Sequence, residues 1–192
     1  MYFKYLLMLR FSLINSIGIV LLIVAYSQGY INKAINADIT NVVVLIIILF
    51  LLGLFLSTQK AFWISRELNY AYSGSTSKNN SLVVEFLINS KNLDATARSN
   101  LASSMRIRIA AKIEIIKFIA NTLVILGLIG TVIGFIIALS GVDSSVASNP
   151  DEIGKMVTSL ISGMSVALYT TLAGSILSVW LNICYQLLSN GA

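Results

Sequence analysis

Thr131, Thr170 and Thr171 are hydroxyl side chains set into runs of very small residues inside two long apolar segments. In the first segment Gly127, Gly130, Thr131, Gly134 and Ala138 recur at helical spacing. In the second, Gly163, Ala167, Thr170, Thr171, Gly174, Ser178 and Asn182 fall on one stripe. Faces of this kind carry almost no bulk, so another backbone can approach them closely. A threonine hydroxyl both donates and accepts, so it can hold a water, orient a carboxylate in either protonation state, or ligate a sodium ion. The two stripes are open to two readings, ordinary helix packing or the wall of a hydrated ion path. A proton path also needs a group that titrates within the membrane, most often a carboxylate. From Phe118 to Leu139 and from Met156 to Leu188 there is no Asp, Glu, Lys, Arg or His, so any such acid must come from another subunit.

The elements that must position these residues are membrane helices. The chain has 192 residues, of which 57% are hydrophobic and 11% charged, and its mean hydropathy is +0.86. Its apolar runs exceed what a soluble core of this size can bury. The fold class is an all-α integral membrane protein with four transmembrane helices, at about residues 11–28, 41–58, 113–140 and 150–189. With no His and the single cysteine Cys184, Cys/His nucleophiles, disulfides and metal clusters are not expected, and the chain is not expected to be an enzyme or to hold a cofactor. A cleavable leader ending near Ala25-Tyr26-Ser27 is the alternative reading of the first helix.

Thirteen Lys and Arg against eight Asp and Glu read as topology, not as a nucleic-acid surface. Eleven of the thirteen fall in residues 1–10 and 60–117, leaving Lys33 and Lys155 in the short connections opposite. By the positive-inside rule the region around Lys78 and both termini face the cytoplasm. The expected organisation is an outer helix pair over 1–58, a small helical cytoplasmic region over 59–112 and an inner pair over 113–192. A bulky helix that is apolar all round, Val42 to Leu56, suits lipid, whereas the small-residue faces need protein or water against them.

Within the polar region, Gln59 to Ser73 should prolong the second helix and Gly74-Ser75-Thr76-Ser77 should break it. Ser81 is then a candidate cap for a short helix over Leu82 to Asn89. A helix over Leu93 to Ser104 feeds the amphipathic segment Met105 to Phe118. Gln28 to Asn41 reads as a short polar turn. Asn149 can cap the fourth helix, with Pro150 at its first position and Asp151 and Glu152 beside the positive end of its dipole.

The segment LGLIGTVIG, from Leu126, followed about thirty residues later by GMSVALYTTLAGS, from Gly163, resembles the paired signature of the MotA/TolQ/ExbB proton-channel family. The likeness covers roughly Ala120 to Asn182. It implies a homopentameric ring around two copies of a single-helix partner of the MotB/TolR/ExbD type whose membrane Asp carries the ion, in the bacterial inner membrane. Thr131 and Thr171 match the family's pore-lining threonines. The pair Thr170-Thr171 is similar to paired threonines of some sodium-driven stators, which keeps H⁺ and Na⁺ both open. Val166 stands where TolQ and ExbB relatives place a Glu, which argues against a close Ton or Tol relative. The resemblance thus implies a ring-forming subunit of an ion-driven motor, stator-like, Ton/Tol-like or phage-defence-like. The alternative is a non-conducting four-helix scaffold.

Overall fold

The computed structural model describes residues 6–73, 86, 88–90, 94–140, 142 and 150–191, and the described secondary structure is helical throughout. Among the described residues five helices have both ends defined, α1 (Leu6–Ser27), α2 (Tyr30–Ala37), α3 (Val42–Ser73), α4 (Ala95–Ser140) and α5 (Pro150–Gly191), and residues 86 and 88–90 are helical as well. All but α2 are long and apolar enough to cross a membrane. The break at Gly74 to Ser77, the Ser81 cap, the loop around Ser145 and the Asn149 cap lie outside the described residues.

Each long helix outruns its apolar stretch, because helical hydrogen bonding does not stop where hydrocarbon would. Residues 95–126 contain no Gly and no Pro. The expected helix over Leu93 to Ser104 and the amphipathic segment after it are therefore one uninterrupted element with the membrane span. Asp94 starts it: its Oδ1 accepts from the Ala95 N–H at 2.8 Å, and its carbonyl accepts from the Arg98 N–H at 2.9 Å. Pro150 occupies the first position of α5, where its missing N–H costs nothing.

The connection between α1 and α3, expected as a polar turn, holds the eight-residue α2 between two left-handed corners, Gly29 (φ 77°) and Asn41 (φ 59°). Glycine adopts the first without strain, and asparagine tolerates the second better than most residues do. Asn41 precedes α3 in the capping position, yet the capping side chain is that of Asp38. Its Oδ2 accepts from the Val43 N–H at 2.6 Å, while its Oδ1 accepts from the N–H and the hydroxyl of Thr40.

The chain divides into two compact units, to which each long helix contributes a segment. Residues 1–17, 54–118 and 182–192 form the first. Its core is built on Phe11 of α1, Ala61 and Ile64 of α3, Ile109, Ile113 and Ile116 of α4, and Cys184 and Leu188 of α5. Ile109, Ile113 and Ile116 follow helical spacing, so the inward face of α4 is apolar here. Asn15 is also enclosed: it donates to the Phe11 carbonyl at 2.8 Å and accepts from the Cys184 thiol at 3.7 Å. The second unit comprises residues 18–53 and 119–181. Val43, Ile46 and Phe50 give α3 an inward face that its all-round apolarity did not reveal, and the Phe50 and Trp180 rings meet at 5.2 Å between centroids. Gly18 lies directly under the Trp180 indole, where no side chain would fit.

Candidate functional site: a hydroxyl-bearing edge of the α4–α5 pair

Within the second unit α4 and α5 pack backbone to backbone. A Cβ built on Gly134 would come within 2.6 Å of the Ala167 nitrogen and the Gly163 carbonyl oxygen. One on Gly163 would come within 2.5 Å of the Gly134 oxygen, and one on Gly174 within 2.6 Å of the Leu123 oxygen. Gly130 faces the Thr170 side chain, and Gly127 faces the backbone of Thr170 and Thr171. As the sequence ascends α4 from Leu123 to Ala138 its partners descend α5 from Gly174 to Gly163, so the helices run antiparallel. The small stripes are spent on each other inside one chain, and Gly127, Gly130, Gly134, Gly163, Ala167, Gly174 and Ser178 are all buried.

The three threonines differ. Thr170 is fully buried in the hollow above Gly130, its hydroxyl shared between the carbonyls of Val166 at 2.9 Å and Ala167 at 3.0 Å. Thr171 is half-buried and donates across the helix pair to the Gly127 carbonyl at 3.1 Å. Thr131, also half-buried, donates to the Leu128 carbonyl of its own preceding turn. Thr131 follows Gly130, and Thr171 follows Thr170, each about 100° further round its helix. In an antiparallel pair those two rotations turn toward the same side, so Thr131 and Thr171 share one edge while Thr170 is sealed in the seam. Ser175, one turn beyond Thr171, is exposed and donates to the Thr171 carbonyl at 2.7 Å. It was not singled out from sequence, although its spacing of four from Thr171 places it on the same line.

A hydroxyl whose proton is committed to a backbone carbonyl still offers oxygen lone pairs. Along this edge Thr131 and Thr171 can accept a hydrogen bond from water or a protonated carboxyl, or ligate a cation. Neither can titrate. The neighbours Leu128, Phe135, Leu168 and Leu172 are exposed and apolar. Among the described residues no group of three or more His, Cys, Asp or Glu is placed to hold a metal ion.

Helices of this length and apolarity define a multi-pass helical membrane protein. The family model described as the MotA/TolQ/ExbB proton channel family matches residues 78–192, more than half of the chain, and the chain belongs to that family. No curated protein and no solved structure matches it.

Proposed function

We propose that the chain is the ring-forming subunit of a membrane motor driven by a proton or sodium gradient. It works as a homopentamer in the bacterial inner membrane, with both termini in the cytoplasm, around two copies of a single-helix subunit carrying a membrane Asp. The carrying observation is the edge on which Thr131 and Thr171 stand together with open lone pairs, in stretches, 118–139 and 156–188, that hold no Asp, Glu, Lys, Arg or His. The seam between α4 and α5 is closed by backbone contact, so an ion passing these hydroxyls moves along the outside of the pair. The rest of its path must be supplied by another chain. The threonines orient the partner's carboxyl in both protonation states, and ion binding and release there drive movement of one subunit against the other.

The test is ion flux in vesicles holding the chain with its co-purified partner. Thr131→Val and Thr171→Val keep the shape and remove the oxygens. Losing two oxygen contacts of about 1 kcal/mol each at the barrier slows passage roughly 30-fold. Assembly should be unchanged, and Thr→Ser at both positions should restore part of the flux. One observation favours the scaffold reading instead: all three hydroxyls donate to backbone carbonyls, as membrane-helix threonines do for packing alone. Wild-type flux in the assembled double variant would discard the role given to these hydroxyls, and the lack of any partner-dependent flux in the wild type would establish the scaffold reading.

A further inference from the structure

The basic residues of the first unit are not a uniformly solvated face. Lys112 Nζ stands 4.2 Å from the centre of the Trp63 ring, and Lys117 Nζ 5.9 Å from that of Tyr185. Two cations are thus braced on aromatic faces. Neither ammonium is paired with a carboxylate among the described residues. A ring covers only one side of an ammonium, so N–H donors remain for an anion.

The level of these pairs along the helices indicates which anion. From Val42 to Trp63 α3 rises roughly 32 Å, and from Ser140 back to Lys117 α4 spans roughly 35 Å, at 1.5 Å per residue. A hydrocarbon core is about 30 Å thick. Both pairs fall just past the depth at which acyl chains give way to headgroups, where aromatic rings and snorkelling lysines are stable. Phe62, Ile115 and Phe118 are exposed and apolar beside them. The charge of the first unit is one-sided: its sequence holds eleven Lys and Arg against Glu67, Glu85, Asp94 and Glu114. That excess selects an anionic surface over a zwitterionic one.

We propose that Lys112 and Lys117, held by Trp63 and Tyr185, bind the phosphates of anionic phospholipids in the leaflet at the basic ends of the helices. The site fixes the depth of the chain in the bilayer, and it does so whether or not the helices conduct.

The test is native mass spectrometry of the full chain in neutral detergent, with phosphatidylglycerol or phosphatidylethanolamine added. Phosphatidylglycerol should stay bound at collision energies that strip phosphatidylethanolamine. The Lys112→Gln, Lys117→Gln double variant should retain roughly 30-fold less of it, with helicity by circular dichroism unchanged. The Lys→Arg double variant should retain it as the wild type does, Lys33→Gln should have no effect, and millimolar inorganic phosphate should not displace it. The site is overturned by undiminished retention in the Gln variant, by equal retention of the two lipids, or by an equal loss in Lys33→Gln. Displacement by free phosphate would make it a soluble-anion site and overturn the lipid assignment as well.

Discussion

Asp38 is 6% exposed, and its carboxylate accepts from the Thr40 N–H at 3.1 Å, the Thr40 hydroxyl at 2.6 Å and the Val43 N–H at 2.6 Å. One side chain therefore closes the corner at Asn41 and satisfies one of the first free donors of α3, the Val43 N–H. Asp38→Ala should lower stability by about 1 to 2 kcal/mol, and Asp38→Asn by less, since the amide oxygen still accepts. Thermal unfolding in detergent with a helicity readout would check both. None of this was readable from residue order. The cap reaches five residues along the chain past a left-handed Asn, and the signal for capping looks only at the residue next to the helix. The threonines were partly legible: their spacing placed them on small-residue stripes. That Thr170 is sealed while Thr131 and Thr171 stay at an edge follows from the antiparallel register of the helices, which spacing within one helix cannot supply.

At the scale of the element, α4 and α5 are held by the absence of side chains. Gly134→Ala puts a methyl 2.6 Å from two backbone atoms of α5, and neither can move without shifting the whole helix. The expected cost is about 1 to 3 kcal/mol or more. Gly154, in the same α5, has nothing within 4 Å of its missing Cβ, so Gly154→Ala should stabilise the chain by roughly 0.5 to 1 kcal/mol through helix propensity alone. Denaturation of the two variants side by side separates close packing from intrinsic preference. Opposite signs are expected, and a loss in both would mean that packing does not set the difference. The four membrane helices were legible because unbroken apolar runs leave few alternatives in a chain this hydrophobic. α2 was not, since eight residues between two corners are too few for a periodic pattern to declare itself.

At the scale of the whole molecule, each compact unit is assembled from segments far apart in the sequence, and that interleaving has no signature in local composition. Charge follows it all the same: residues 1–17, 54–118 and 182–192 hold eleven of the thirteen Lys and Arg residues. The chain also has two tryptophans, and each unit owns one. Trp63 sits in the first beneath the Lys112 ammonium, and Trp180, 8% exposed, sits in the second between Gly18 and Phe50. The molecule thus carries two intrinsic fluorophores in unlike surroundings, one polarised by a nearby positive charge and one enclosed by hydrocarbon. Trp63→Phe should leave a blue emission from Trp180, and Trp180→Phe a redder one from Trp63. Adding Gly18→Leu, which fills the space the indole occupies, should shift the emission of the Trp63→Phe protein to the red and leave that of the Trp180→Phe protein unchanged. Each half of the interleaved fold can then be watched opening by the colour of its own light.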